Sequence, residues 1–216
     1  MKYTFIIWDF NGTIFDDVQI GLDSINTLLE RRGIPIIENK EKYKDWFMFP
    51  IIEGYKKIGF DFDKESYDDV AKEWVQEYLS REAQAGIVDG IKTVLEYFKE
   101  KGIKQIILSA SEINMLTRQL DDLGISGYFE ETVGLDNIHA AGKKDIALSW
   151  RNKHREDKLL FIGDTDHDHQ VAMAMGAECI LVAAGHQSFE RLARIEPKRA
   201  IVRNPVEIID IMEKLN

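Results

Sequence analysis

Two apolar runs of this chain each end in an aspartate, a position in which a carboxylate can do chemistry. Asp9 follows the run at residues 5–8, and Asp164 follows the run at residues 159–162 after one glycine. Apolar runs of this length are typical of strands buried in a parallel sheet, where ligands collect at the carboxyl ends of the strands. Two carboxylates that lie together repel each other unless a cation is shared, and hard oxygen ligands suit Mg²⁺. We therefore expect Asp9 and Asp164 to bind one magnesium ion.

Three further residues have side chains that could assist at such a site. Asp168 can hold a metal-bound water or orient Lys143, or it can act only as an acid at a helix start. Ser109 ends the apolar run 106–108, where a hydroxyl can bind a phosphate oxygen, although serine at a strand end often only turns the chain. Lys143 precedes a predicted helix and can neutralise phosphate oxygens, with Lys144 as the neighbouring alternative. These residue types indicate a combined metal and phosphate site.

The elements that must position these residues are predicted from hydrophobic spacing. After residue 86 the pattern predicts helices at 91–101, 114–123, 144–153, 170–175 and 206–215, and strands at 105–109, 158–162, 179–182 and 200–202. This alternation is typical of an α/β fold with a doubly wound, Rossmann-like parallel sheet. Residues 17–85 show helical spacing and no convincing strand. We expect an α-helical cap domain at 17–85, inserted into a core domain formed by 1–16 and 86–216.

Composition excludes several classes of protein. Of 216 residues, 44% are hydrophobic and 31% charged, which is typical of a globular protein. The formal net charge of −10 argues against nucleic acid or an anionic membrane as a partner, because both are bound mainly through basic patches. No apolar run approaches the roughly 20 residues that span a bilayer, and the start of the chain lacks the pattern of a secretion signal, which favours the cytoplasm. The single cysteine, Cys179, lies in an apolar run and is expected to be buried and inert.

In the order and spacing of its motifs the chain resembles the haloacid dehalogenase superfamily of phosphatases. The resemblance rests on Asp9-Phe10-Asn11-Gly12-Thr13, Ser109, Lys143, and Gly163-Asp164 followed by Asp168. It covers essentially the whole chain, and agreement of several motifs in order is far more specific than any one of them. The chain is most similar to the phosphoglycolate phosphatase-like branch, in which a helical cap is inserted between the first and second motifs.

The resemblance implies a magnesium-dependent phosphatase that acts on a small phosphorylated metabolite. In such an enzyme Asp9 attacks phosphorus and forms an aspartyl-phosphate, which water then hydrolyses. The implied metal ligands are Asp9, the backbone carbonyl of Asn11, and Asp164, with Asp168 beside them, while Ser109 and Lys143 bind the phosphoryl oxygens. The substrate and the oligomeric state stay open.

Asn11 departs from the pattern, because most phosphatases of the family carry a second aspartate there as the general acid and base. An amide does not titrate near neutral pH, so acid–base help worth about 10²–10⁴-fold should be missing. The loss matters least for acyl or aryl phosphates, whose leaving groups are weakly basic. A histidine could take the place of the missing general acid and base, but we expect His167 and His169 to be surface residues. The sequence gives only a weak indication that His186 lies at the edge of the crevice.

Two other interpretations remain at this point. Without the usual proton carrier the chain could be a catalytically weak relative that binds phosphate or regulates another protein. Dehalogenase chemistry is disfavoured, because it needs no metal ligand such as Asp164. Phosphonate hydrolysis fits poorly too, because it would need a lysine of the cap that forms a Schiff base. No lysine in the cap has a sequence context that distinguishes it for this role. The cap aromatics Tyr43, Trp46, Phe47 and Phe49 are expected to pack in the cap's own core, with a substrate pocket as the alternative.

Overall fold

A computed structural model describes residues 2–135 and 142–214, and its centre is one parallel sheet. The strands are β1 (Phe5–Trp8), β2 (Lys104–Glu112), β3 (Glu131–Leu135), β4 (Leu159–Gly163), β5 (Glu178–Val182) and β6 (Ala200–Val202). They lie in the order β3-β2-β1-β4-β5-β6, and every pair is parallel. The strand order reverses direction at β1, and in such sheets the crevice for ligands opens at the carboxyl ends beside that point.

Both faces of the sheet are covered by helices. These are α5 (Ile91–Glu100), α6 (Ile113–Asp122), α7 (Lys143–Lys153), α8 (Asp166–Met175), the short α9 (Phe189–Leu192) and α10 (Glu207–Glu213). Side chains of β1 alternate between the faces, with Ile6 and Trp8 in the core under α5, α6 and α10, and Phe5 and Ile7 in the core under α7 and α8. All four are buried, which explains why the strand reads as a continuous apolar run. The predicted doubly wound α/β fold is confirmed.

Residues 18–84 form a separate group of helices, which we call the helical insertion. It comprises α1 (Val18–Arg31), α2 (Lys40–Trp46), α3 (Ile51–Lys57), α4 (Tyr67–Arg81) and a 3₁₀ turn at Glu82–Gln84. The insertion has a core of its own in which Leu22, Ile25 and Leu29 of α1 pack with Tyr55 and Val70. Its position between β1 and α5 is the one predicted for a cap. The division of the chain into two domains stays a prediction.

The structure differs from the prediction at elements whose hydrophobic pattern is weak, because they are polar or short. Strand β3 was missed, because as an edge strand it carries half-exposed or exposed residues at four of its five positions. Helices α2 and α3 were not predicted individually, since each has just 7 residues. Helix α8 begins four residues before its predicted start. The predicted end of the last helix at residue 215 lies outside the described residues.

None of the helices within 2–135 and 142–214 combines the length and the apolar character needed to cross a bilayer.

Cys179 is fully buried and unpaired, and burial raises the pKa of its thiol far above its ordinary value. The expected burial is confirmed, and because the thiolate is the reactive form, the raised pKa disfavours reaction of this thiol.

Candidate active site

Three aspartates meet at the carboxyl ends of β1 and β4. Asp9 follows β1, Asp164 follows β4, and Asp168 lies in the first turn of α8. One carboxylate oxygen from each lies within 4.8 Å of the others, and all three residues are buried. The fold therefore brings together the carboxylates that the sequence placed 155 residues apart in the chain (164 − 9).

Lys143 inserts its ammonium group between two of these aspartates. Its Nζ donates to Asp9 Oδ1 and, over 2.6 Å, to Asp168 Oδ1. Only 4% of the lysine side chain is exposed, so its charge is compensated by these carboxylates rather than by water. Lys143, not Lys144, is thus the lysine in contact with the carboxylates.

Asp168 is held in place by the start of helix α8. Thr165 Oγ1 accepts a hydrogen bond from the Asp168 backbone, and Asp168 Oδ2 accepts from the Thr165 backbone and hydroxyl, which is a capping box. The second oxygen, Oδ1, remains free to accept from Lys143. Asp168 therefore both starts the helix and orients the lysine, and this capping explains why α8 begins earlier than the apolar spacing suggests.

Asp164 lies in a cradle of backbone and small side chains. Its Oδ1 accepts from the Thr13 hydroxyl at 3.1 Å, and its Oδ2 accepts from the His186 backbone N–H at 2.6 Å. Gly12 has φ of +72°, and a Cβ on Gly12 or on Gly185 would overlap the Asp164 carboxylate. Only glycine allows the backbone to approach the carboxylate this closely, which gives both positions a steric reason.

The electrostatics of the cluster call for more positive charge than the described side chains supply. Burial and the nearby Asp168 raise the pKa of Asp9 well above its ordinary value, despite the Lys143 ammonium. Burial likewise raises the pKa of Asp164, to about 6. Asp168 differs, because Lys143 outweighs burial and lowers its pKa. A bound divalent cation would stabilise the ionised form of these two buried carboxylates, so these oxygen donors fit Mg²⁺.

Asn11 has every polar atom of its side chain engaged. Its Nδ2 donates to Asp17 Oδ2 at 2.8 Å and to the Tyr78 hydroxyl at 3.0 Å, while its Oδ1 accepts from the Ser111 hydroxyl at 2.8 Å. The amide is therefore fixed in one orientation. Ser109 is buried, and its Oγ lies 3.1 Å from Ser111 Oγ, which connects the end of β2 to the same network.

An ion pair between Asp17 and His186 was not predicted from the sequence. Asp17 lies at the N-cap position of α1, but its side chain makes no capping bond there. Its Oδ1 instead accepts from the Gly12 backbone and lies 3.1 Å from His186 Nε2, and His186 Nδ1 lies 3.0 Å from the Tyr43 hydroxyl. Although burial opposes it, Asp17 raises the pKa of His186 to about 9, and His186 in turn lowers the pKa of Asp17.

The other two histidines near motif residues have different environments. His169 is buried with its Nε2 2.6 Å from the Pro197 carbonyl, so the expectation of a surface residue was wrong. His167 stacks on Phe49 of the insertion with ring centroids 4.7 Å apart, and burial lowers its pKa. Neither of them contacts the aspartates through a described hydrogen bond.

A cavity of about 230 Å³ extends from the aspartates to the helical insertion. Asp9, Lys143 and Asp164 line it on the sheet side. On the insertion side it is lined by Tyr43, Trp46, Phe47, Phe49, Ile51, Tyr55, Trp74, Val75 and Tyr78. The expected packing role is confirmed, because Tyr43, Trp46 and Phe47 pack in the core of the insertion, and the same residues also line this cavity.

Comparison with known proteins identifies the family. A family model described as haloacid dehalogenase-like hydrolase matches residues 6–182. A phosphoglycolate phosphatase of Pseudomonas syringae is 22% identical over 220 residues, which cover 97% of this chain and 77% of the relative. A phosphoglycolate phosphatase of Caulobacter vibrioides is 24% identical over 188 residues, which cover 84% of this chain and 79% of the relative.

Solved structures agree on the fold. A haloacid dehalogenase-like family hydrolase of Streptococcus pneumoniae superposes with a TM-score of 0.81 at 19% identity, covering 98% of this chain and 99% of that one. Protein Tyrosine Kinase A of Mycobacterium tuberculosis superposes with a TM-score of 0.79 at 21% identity, covering 99% and 98% of the two chains. At such identities the likeness establishes the fold alone.

The chain therefore belongs to the family of haloacid dehalogenase-like hydrolases, in the phosphoglycolate phosphatase-like branch. It is an enzyme of the phosphatase kind, as its motifs predicted.

Proposed function

We propose that the protein hydrolyses a small phosphorylated metabolite in a magnesium-dependent reaction through an aspartyl-phosphate on Asp9. The observation that carries the proposal is the meeting of Asp9, Asp164 and Asp168 around the Lys143 ammonium at the carboxyl ends of β1 and β4. A nucleophile, a phosphate-binding cation and a set of hard oxygen ligands are thereby within reach of one phosphoryl group.

The residues that would hold Mg²⁺ are Asp9, the backbone carbonyl of Asn11, and Asp164, with Asp168 beside them. When bound, the ion supplies positive charge that keeps the buried carboxylates ionised and draws electron density from the phosphoryl oxygens. Thr13 and the His186 N–H fix the Asp164 carboxylate for this role.

The chain's own residues then account for the chemistry. A carboxylate oxygen of Asp9 forms a bond to phosphorus, the bond from phosphorus to the leaving oxygen breaks, and that oxygen departs with the electron pair. Lys143 and Ser109 neutralise and bind the phosphoryl oxygens, and Asp168 keeps the Lys143 ammonium in position. Water next attacks phosphorus and gives up a proton to solvent, the bond to Asp9 breaks with its electron pair returning to the carboxylate, and inorganic phosphate is released.

Asn11 weakens the proton transfer that both steps would use. Its side chain is held by Asp17, Tyr78 and Ser111 and has no proton that titrates near neutral pH. We expect substrates with weakly basic leaving groups to react faster than alkyl phosphates. The helical insertion would act as the cap of the predicted two-domain arrangement, since its aromatic residues line the cavity over the aspartates.

The proposal is tested by phosphate release and by trapping of the intermediate. With acetyl phosphate as probe, we expect Mg²⁺-dependent release of phosphate that EDTA abolishes, and acid-stable labelling of the wild-type protein from ³²P-acetyl phosphate. Asp9→Asn should remove both signals, because its amide is not a nucleophile.

The exposed Asp121→Asn is the matched control and should retain both signals. Binding of acetyl phosphate without labelling or release would overturn the proposal and support the alternative of a phosphate-binding relative, which the fully engaged Asn11 side chain favours.

A further inference from the structure

We infer that the cavity between the sheet and the helical insertion selects a flat, apolar and uncharged leaving group, so that the preferred substrate class is aryl or arylmethyl phosphomonoesters. The inference rests on the proposed function. It goes beyond it by assigning the chemistry of the group that leaves, which the aspartates and Lys143 do not determine.

The wall opposite the aspartates is aromatic. Phe47 stacks on His186 with centroids 4.5 Å apart, Phe49 stacks on His167, and Trp74 stacks on Tyr78 with centroids 5.0 Å apart. These rings are locked by their neighbours, so they form a preorganised apolar surface. The volume of about 230 Å³ lies below the roughly 300–1,000 Å³ of pockets for drug-sized ligands, which suits a single ring attached to a phosphate.

Three polar atoms on this wall are already committed within the protein. The Tyr78 hydroxyl donates to Asp17, the Tyr43 hydroxyl is paired with His186 Nδ1, and Trp46 Nε1 donates to the Gly54 carbonyl at 2.7 Å. A sugar or a polyol would therefore give up hydrogen bonds to water and find these three atoms already paired. An aromatic ring makes few hydrogen bonds to water and gives up correspondingly little.

The charges along the cavity disfavour a second anionic group on the substrate. Among the described lining residues, Lys143 is paired with Asp9 and Asp168, and His186 with Asp17. His167 lies stacked on Phe49, with ring centroids 4.7 Å apart. Glu112 adds a further acid to the lining. A carboxylate such as that of phosphoglycolate would meet acids and, among these residues, no lysine or arginine besides the paired Lys143.

Asn11 independently favours the aryl members of this class. A phenolate leaves without a proton more readily than an alkoxide, so an aryl phosphate needs less from the missing general acid than an alkyl or arylmethyl phosphate does. Pocket shape and leaving-group chemistry are separate causes, and the experiment must separate them.

The test compares esters whose leaving oxygens both lie on an sp³ carbon. We expect kcat/KM for benzyl phosphate to exceed that for ethyl phosphate at least about tenfold, because only the benzyl group buries a ring. Phosphoglycolate, which adds a carboxylate to a similar alkyl group, should react more slowly than ethyl phosphate. In parallel, titration calorimetry with the Asp9→Asn protein should show benzyl phosphate binding at least about tenfold more tightly than ethyl phosphate.

A variant assigns the preference to the wall. Phe49→Ala should reduce the ratio of benzyl to ethyl phosphate about threefold or more, whereas Leu79→Ala, at an exposed position of α4 outside the cavity lining, should leave it unchanged. Equal rates and equal binding for the two esters would overturn the inference. Absence of phosphate release from every compound, acetyl phosphate included, would overturn the proposed function instead. The calorimetric comparison would then still show whether the pocket binds the benzyl ester more tightly than the ethyl ester.

Discussion

At the scale of single residues, Asn11 and Lys143 decide what this site can do. Asn11 lies where most phosphatases of the family have a second aspartate. Its side chain is fixed by two hydrogen bonds that it donates and one that it accepts. Lys143 carries the positive charge that lies between Asp9 and Asp168. Both residues can be tested by substitutions with a clear direction.

Asn11→Asp should restore a titrating group and increase turnover of ethyl phosphate about 10–100-fold, with little gain for phenyl phosphate. The new carboxylate would lie beside Asp17, and repulsion between the two should raise its pKa toward the range of a general acid. Stopped assays of phosphate release give both rates. An unchanged ethyl phosphate rate would mean that another group already transfers the proton.

Lys143→Ala should lower kcat/KM for acetyl phosphate by at least about 100-fold, because the phosphoryl oxygens lose their cation and Asp9 loses its orienting contact. Lys144→Ala is the matched control and should change kcat/KM less than about threefold. Steady-state kinetics separates them, and equal losses in both variants would remove Lys143 from its proposed role.

At the scale of elements, the helical insertion is attached to the sheet through buried polar groups at the site. Tyr43 of α2 and Tyr78 of α4 contact His186 and Asp17, and Asp17 lies where the chain leaves the core for α1. The Asp17–His186 ion pair thus joins the insertion, its connection to β1 and the loop after β5. The same contacts therefore hold the insertion against the sheet at the site.

The raised pKa of His186 gives the ion pair a defined pH window. Its contribution to stability is fully present below the ordinary histidine pKa of 6.5 and is lost as the pH rises through about 9. The lowered pKa of Asp17 contributes above its ordinary value of 3.8 and is lost as the pH falls through the lower folded value. Urea unfolding in EDTA should therefore show wild type exceeding His186→Gln by about 3 kcal/mol near pH 6, and by less at pH 10.

Tyr78→Phe is the control for that measurement. It removes one hydroxyl donor to Asp17 without removing a charge, so it should cost about 1 kcal/mol with no change between pH 6 and pH 10. A pH-independent difference between wild type and His186→Gln would show that the histidine does not titrate as the geometry implies.

At the scale of the whole molecule, a chain with a net charge of −10 buries three acids in one cluster. Their mutual repulsion opposes folding unless it is compensated, and Lys143 supplies one positive charge. A divalent cation that binds only the folded state must then stabilise the protein by mass action.

Mg²⁺ at about 100 times its dissociation constant should stabilise the wild type by about 2.7 kcal/mol, which corresponds to a rise in Tm of about 5–10 °C for a chain of this size. Asp164→Asn should abolish most of the rise, whereas the exposed Asp121→Asn should keep it. Differential scanning calorimetry with and without Mg²⁺ measures both. A rise that survives in Asp164→Asn would place the ion elsewhere.

Much of this fold and part of the site were predictable, because burial leaves a local trace. Strands β1 and β4 are apolar at every position since both faces of the sheet are covered, and Asp9 and Asp164 stand out at their ends. Strand β3 left no such trace, because an edge position tolerates polar residues.

Sequence by itself determined the class of fold, the two acid-ending strands and the absence of a titrating acid at position 11, because each of these depends on neighbouring residues or on residue type. Only the tertiary structure decided that Lys143 rather than Lys144 contacts Asp9, and that His186 pairs with Asp17 from 169 residues away. It also decided that the aromatic residues of the insertion line the cavity. The physical reason is that such pairings follow from how packed elements meet, and no local periodicity encodes which distant side chain will lie opposite a given one.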